Sequence, residues 1–202
     1  MENEDYDRLL HIHTTEELMG LHRSMMYHRY EPTPYRDLLE LFGQYELKPG
    51  DRVVDYGCGK GRLNFFLHDR FGVDVVGVEM NEGFYQKALE NRESYLKNRK
   101  QANSSVIEFQ NCLAEEYKVR QSDNRFYFFN PFTVEIFRRV VDNILESVEQ
   151  HYRNIELILY YPSEDYVYYL ENHSLFEWKQ EVRLRGYEGN VNERFLVYGM
   201  VY

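Results

Sequence analysis

The residues best suited to chemistry begin at Asp55-Tyr56-Gly57-Cys58-Gly59-Lys60-Gly61-Arg62, directly after the apolar pair Val53-Val54. A short buried strand runs into three glycines and then into a helix. Glycines permit positive-φ turns and let a ligand approach the backbone closely. The first turn of the helix offers unpaired amides. In an open parallel sheet, such a turn lies beyond the carboxyl end of the strand, where ligands bind. Spacing then narrows the choice of ligand. A dinucleotide fingerprint reads G-x-G-x-x-G. Here the third glycine comes one residue early, and Arg62 stands where that fingerprint has glycine. A phosphate loop needs G-x-x-x-x-G-K followed by Ser or Thr, which this sequence lacks. A second acid, Glu79, closes the run Val75-Val76-Gly77-Val78, 18 positions after Gly61.

Other side chains are weighed against simpler roles. Lys60 and Arg62 flank the loop and are expected to be solvated. Cys58, between glycines, and Cys112 are small packing residues, and nothing marks either thiol as a nucleophile. Two cysteines make no disulfide scaffold, so both are expected to be reduced. His11, His13, His22 and His28 fall in the first fifty residues. No cysteine or carboxylate framework fixes their spacing, so no metal site is expected.

The elements that must position these residues alternate. Arg52–Tyr56, Val73–Glu79, Val106–Phe109, Phe126–Phe129 and Ile155–Tyr161 read as short apolar strands, the kind buried on both faces of a parallel sheet. Between them, Leu63, Phe66, Leu67 and Phe71, then Tyr85, Ala88, Leu89, Tyr95 and Leu96, recur at helical spacing. Phe137, Val140, Val141, Ile144, Leu145, Val148 and Tyr152 do so again. Asp165–Leu170 predicts a shorter helix. Phe176–Leu184 and Phe195–Tyr202 flank a Gly- and Asn-rich stretch and read as an antiparallel hairpin. Ahead of the first strand, Thr14 and Glu17 have capping-box spacing for a helix carrying Leu18, Leu21, Met25 and Met26. Tyr30–Pro34 breaks it. Thr33 is then expected to cap a second helix, with Pro34 at its first position and Leu38, Leu39, Leu41 and Phe42 on its apolar face. Lys48-Pro49-Gly50-Asp51 is a turn. The expected fold is α/β in three α/β/α layers. A doubly wound, mostly parallel seven-stranded sheet ends in a C-terminal antiparallel hairpin.

Composition sets the outer bounds. The 202 residues suit one main domain. We expect an N-terminal helical extension, or lid, over residues 1–50 and a ligand-binding domain over 51–202. The formal net charge is −10, and the first fifty residues carry ten acidic against five basic side chains. Such a surface repels phosphate polymers, which counts against bulk nucleic acid as a partner. No apolar run approaches the roughly 20 residues of a membrane span, and the acidic start is unlike a signal peptide. A soluble cytoplasmic protein is expected.

Asp55–Gly61 resembles, without a gap, the first motif of the class I (Rossmann-like) S-adenosylmethionine-dependent methyltransferases. Glu79 is similar to the acid that ends that family's second strand. Asn111-Cys112 and Asn130-Pro131-Phe132 fall where the family places residues after its third and fourth strands. The resemblance spans about residues 30–202 and implies S-adenosyl-L-methionine as cofactor. It also implies residue roles. Asp55 would order the loop or approach the methionine amino group, and Gly57, Cys58, Gly59 and Gly61 would form the cradle. Glu79 would accept from both ribose hydroxyls, which suits a carboxylate with two acceptor oxygens and no donor. Met80 would lie beside the adenine, with Asn111 and Cys112 near it. Asn130, Pro131 and Phe132 would sit at the methionine end and carry catalysis, Asn130 also touching the cofactor. Tyr30 and Thr33 have the spacing of a segment that precedes the first strand in one branch of the family. Tyr27, Tyr30 and Tyr35 are candidates to line the methionine end or the substrate mouth. Tyr160, Tyr161, Tyr166, Tyr168 and Tyr169 are candidates for an aromatic substrate wall. The sequence departs at Asn130-Pro131-Phe132-Thr133. It is one proline short of the motif of adenine-N6 and glutamine methyltransferases, which counts against those substrates.

Methyl transfer needs positioning more than proton transfer, so no acid–base pair has to be visible. Phe132 and the tyrosines offer faces to a cationic sulfonium. The reading is therefore a methyltransferase acting on an unidentified small-molecule or protein acceptor. The alternative is an inactive cofactor-binding or protein-interaction module whose acidic N-terminal part serves a partner. A nicotinamide oxidoreductase is disfavoured by Arg62.

Overall fold

The computed structural model describes residues 3–15, 31–99, 105–173 and 175–201. Seven strands form one sheet: β1 (Arg52–Tyr56), β2 (Asp74–Val78), β3 (Ile107–Gln110), β4 (Arg125–Phe128), β5 (Glu156–Tyr160), β6 (Phe176–Arg183) and β7 (Arg194–Met200). Their order is β3-β2-β1-β4-β5-β7-β6. The first five pair in parallel. β7 runs antiparallel between β5 and β6, so the expected terminal hairpin is present with its second strand inserted.

The α-helices are α1 (Asn3–Leu10), α2 (Tyr35–Gln44), α3 (Arg62–Phe71), α4 (Glu82–Asn98), α5 (Val134–Gln150) and α6 (Glu164–Glu171). Strand side chains alternate between two cores. Val53, Val75, Tyr127 and Ile158 pack with Leu38, Leu41, Phe65, Phe66 and Ala88 of α2, α3 and α4. Val54, Val76, Phe126 and Phe128 pack with Ile136, Val140, Ile144 and Leu170 of α5 and α6. This is the expected three-layer arrangement, and it follows from strands apolar on both faces.

The described part of the first fifty residues packs on the main body. Leu10, Ile12, Tyr35, Leu38, Leu41, Tyr45 and Leu47 belong to the same core cluster as β1 and α3. Among the described residues this stretch is therefore built into the domain. The helix expected after Thr14 lies outside the described residues, whereas α1 precedes it. α2 starts at Tyr35 with Pro34 as its N-cap residue. Thr33 does not cap it, because its hydroxyl pairs with Tyr127 Oη at 2.7 Å. The Lys48–Asp51 turn forms as expected, closed by the Asp51 amide donating to Lys48 O.

Candidate active site

The chain leaves β1, builds outward through β2 and β3, and returns to β4 on the other side of β1. The crevice at that reversal is where open α/β sheets bind ligands. The carboxyl end of β1 supplies Asp55 and the glycine loop; the end of β4 supplies Asn130.

Gly57, Gly59 and Gly61 all have positive φ, at 78°, 55° and 87°. Two of them are also sterically required. A Cβ on Gly57 would stand 2.8 Å from Pro131 Cβ, and one on Gly61 would stand 2.6 Å from the Phe109 ring. Pro131 therefore packs directly over the loop. The Gly57 and Cys58 amides both donate to Val78 O of β2, at 2.9 and 3.1 Å. The Gly59 amide donates to Glu79 Oε2 at 2.9 Å, and the Asn81 amide to Oε1 at 2.8 Å. Glu79 thus closes the loop against β2 with one bond on each oxygen. A carboxylate has about four lone-pair sites, so acceptor capacity remains on both oxygens.

Asp55 is buried in the same crevice. Burial, then the charge of Glu79, push its carboxyl up to about 8. Glu79 is also raised by burial, against the pull of its amide donors. Asn64 of α3 fits beside Asp55 with its amide nitrogen 3.0 Å from Asp55 Oδ2 and its oxygen 3.3 Å from the Gly77 amide. Nothing in the sequence marks Asn64 for this place, since a polar residue in an amphipathic helix carries no signal of what it faces.

Met80 is exposed. Asn111 Nδ2 donates to Glu79 O at 2.8 Å and Met80 O at 3.2 Å, which leaves its Oδ1 as acceptor. Cys112 is half-buried against the α5-side core. Burial raises the Cys58 thiol well above its ordinary value, so it is a packing group. Asn130 holds a left-handed backbone at φ 38°, uncommon outside glycine and mostly tolerated by Asn and Asp.

Several expected site residues fall elsewhere. Phe132 is 1% exposed, between Phe128 and Tyr166, with Tyr166 Oη donating to its carbonyl. It is a core residue and offers no face to the crevice. Tyr35 is fully buried and donates to Asp7 Oδ1 at 2.8 Å, so it does not line the methionine end. Tyr166 stacks on Phe137 in the core, while Tyr168 is exposed. Tyr160 is buried and donates to Asp37 Oδ2 at 2.9 Å, but its ring centre lies 4.4 Å from that of Phe129, tilted by 59°. Phe129 lines a small cleft with Glu31, Pro32, Thr33, Asp55, Gly57, Cys58, Arg62, Leu63 and Tyr127. Tyr27, Tyr30, His22 and His28 lie outside the described residues. His11 and His13 are exposed. Among the described residues, no three His, Cys, Asp or Glu side chains are grouped as metal ligands.

The expectation of solvated Lys60 and Arg62 is wrong. They are 2% and 3% exposed. Arg62 Nε donates to Thr14 Oγ1 at 2.7 Å and Nη1 to Thr33 O at 3.4 Å, and the guanidinium lies 4.9 Å from the Tyr35 ring centre. The acid behind this cluster is Asp7 of α1, which accepts from the Thr14 amide, the Thr14 hydroxyl and Tyr35 Oη. These partners lie 27 to 55 positions from Arg62 or on segments of no periodicity, so sequence spacing could not reveal them.

A family model described as a methyltransferase domain matches residues 47–162, more than half of the chain. The chain belongs to that family, a class I fold whose members take their methyl group from S-adenosylmethionine. Phosphoethanolamine N-methyltransferase 3 of Arabidopsis thaliana is 41% identical over 51 residues, 25% of this chain and 10% of that protein. Geranyl diphosphate 2-C-methyltransferase of Saccharopolyspora erythraea is 38% identical over 71 residues, 35% of this chain and 21% of that protein. The matches thus span about a tenth to a fifth of those curated relatives. The tRNA (uracil-54, C5)-methyltransferase of Pyrococcus abyssi, solved with S-adenosyl-L-homocysteine, shares the fold. Its TM-score is 0.59 at 20% identity, over 83% of this chain and 38% of that one.

Proposed function

We propose that the chain binds S-adenosyl-L-methionine in the crevice between β1 and β4 and transfers its methyl group to a small-molecule or protein acceptor. The observation that carries this reading is the loop itself. Three glycines hold left-handed backbone, two of them, Gly57 and Gly61, with no room for a side chain, and the carboxylate of Glu79 closes on the Gly59 amide. The residues present fit the cofactor. Glu79 keeps acceptor capacity for a ribose diol, Met80 and Asn111 border an adenine position, and Asp55 offers a carboxylate to an ammonium group.

When bound, the cofactor supplies an activated methyl on its sulfonium. The chain's own part is to orient and to exclude water. Gly57, Cys58, Gly59 and Gly61 form the floor. Asn130 presents its amide at the end of β4, and Pro131 fixes it by packing on Gly57. Tyr30 and Thr33 belong to the segment proposed to cover the methionine end. The small acceptors in the two relatives' names support a small molecule. Among the described residues no helix is long and apolar enough to cross a membrane. The two free thiols fit a reducing cytoplasm.

The test is calorimetric titration of the purified chain with S-adenosylmethionine and, separately, S-adenosylhomocysteine. One-to-one binding is expected, and its loss in Gly59→Arg, which fills the loop. Heat-silent titrations with no thermal shift would refute the cofactor assignment. Methyl transfer in a broad single-turnover panel then separates an enzyme from an inactive module.

A further inference from the structure

Arg62 sits at the first position of α3, where nothing in the family motif calls for a buried cation. It lines the small cleft together with Thr33, Asp55, Gly57, Tyr127 and Phe129. Its guanidinium is held from behind by Thr14, Thr33 O and the Tyr35 ring. One nitrogen is left over: Nη2 is buried and has no hydrogen-bond partner among the described residues. A buried guanidinium donor without an acceptor is costly and is expected to have a purpose.

The charge is also incompletely met. Asp7 Oδ1 lies 3.9 Å from Arg62 Nε. The carboxylate of Asp7 is engaged by the Thr14 amide at 2.6 Å, the Thr14 hydroxyl at 2.8 Å and Tyr35 Oη at 2.8 Å. Asp7 therefore steadies the guanidinium without pairing face to face. Beside it, Thr33 Oγ1 and Tyr127 Oη share a single hydrogen bond of 2.7 Å, so one of the two hydroxyls keeps a proton to donate elsewhere. Asp55 lines the same cleft. A planar guanidinium fork suits a carboxylate, and a buried acid suits an ammonium. A ligand group carrying both on one carbon is an α-amino acid.

We propose, on the basis of the cofactor reading above, that Arg62 binds the carboxylate of the cofactor's amino-acid tail through Nη2. Thr33 and Tyr127 add a hydroxyl donor, and Asp55 takes the ammonium. The cleft holds about 30 Å³, so the coil at 31–34 gives way when the tail enters. The weak Nη1 contact to Thr33 O, at 3.4 Å, is the bond that movement exchanges. The site thereby selects nucleosides that carry an amino-acid tail over those that do not.

The test compares S-adenosylhomocysteine with its decarboxylated analogue by calorimetry on the full chain. The proteins are the wild type, Arg62→Lys and the neutralised pair Arg62→Met with Asp7→Asn, each verified as folded by thermal melting. Removing the carboxylate is expected to weaken wild-type binding about 10- to 100-fold, as for a lost charge-assisted hydrogen bond. In the neutralised pair the two ligands should bind within about threefold of each other, and Arg62→Lys should fall between. Arg62→Lys keeps a cation facing Asp7 and decides the comparison should the neutralised pair unfold. The inference is overturned if carboxylate removal costs the wild type less than about threefold. It is equally overturned if the variants lose both ligands to the same degree. Wild-type protein that binds neither ligand would remove the cofactor reading itself, whereas binding without this coupling removes only the role of Arg62.

Discussion

Replacing Asp55 with asparagine tests the electrostatics at the end of β1. The carboxyl is 4% exposed and is pushed up to about 8, first by burial and then by Glu79. In the unfolded chain an aspartate titrates near 3.9. Between about pH 4 and 8 the folded chain therefore holds a proton that the unfolded chain has released. Stability falls as pH rises through that window, by up to about 1.36 kcal/mol per unit. The penalty is absent below the window and complete above it. Glu79 is also raised by burial and contributes its own part of the slope, so from pH 5 to 8 we expect a loss of about 2–4 kcal/mol attributable to Asp55. Asn is nearly isosteric and carries no such charge. Urea unfolding of ligand-free wild type and Asp55→Asn at pH 5, 6, 7 and 8 should show the variant gaining on the wild type by that amount. A gap that stays constant within about 0.5 kcal/mol across the series would refute the reasoning. The ligand arm runs the other way. A cationic ligand group favours the ionised carboxylate, so wild-type cofactor affinity should climb with pH towards 8, while Asp55→Asn binds weakly and with no such slope.

Gly57→Ala should destabilise by about 1–3 kcal/mol, from its positive φ and from overpacking, since its Cβ would stand 2.8 Å from Pro131 Cβ; unchanged urea unfolding would contradict the packing argument. At Asn130, with φ 38°, substitution by Ala should cost about 1–2 kcal/mol for the left-handed backbone, whereas Gly should keep stability. Both should abolish turnover, and full activity in either would remove Asn130 from the site. His68 places Nε2 3.1 Å from Ser105 O and Nδ1 2.9 Å from Tyr95 Oη, with burial pushing it below its ordinary value. Acidification through about pH 6.5 then charges the unfolded chain first, so stability drops there. His68→Gln should flatten that limb of the urea profile, and an unchanged limb would exclude His68 as its cause.

Regular elements were legible wherever one period dominated. β1 runs over Arg52–Tyr56 as expected and is buried at every position, because a short strand built on Val53 and Val54 between a turn and glycines has few other options. α5 shows its periodicity as an unbroken buried stripe of Ile136, Phe137, Val140, Val141, Ile144, Leu145 and Val148. The loop and Glu79 were legible because their spacing is local to one strand–turn–helix unit. Illegible were the roles set by remote partners. Arg62 reads as a surface cation next to a loop, and only the arrival of Thr14 and Asp7 makes it a buried one. Phe132 reads as a site aromatic because it adjoins Asn130. The chain bends at Phe129 and Asn130, and beyond that bend the Phe132 ring packs into the core beside Tyr166 of α6.

Three left-handed glycines in five residues carry a large backbone entropy cost, yet the loop is restrained at nearly every position by a different element. Val78 O holds Gly57 and Cys58, Glu79 holds Gly59, and Cys58 O receives the Gly61 amide. Asn91 of α4 donates to Lys60 O at 3.1 Å and also joins His13, accepting from its amide at 2.9 Å. Arg62 continues the same tie to Thr14 and Thr33. The N-terminal residues therefore act on the loop from its outer side, as β2 does from within. Their burial in the α3-side core offsets the cost of holding the glycines in place. A loop fixed in this way needs little ordering by its ligand, which is the condition for tight binding from few contacts. Separating residues 1–50 from the rest would accordingly damage the glycine loop before it exposed any acceptor surface.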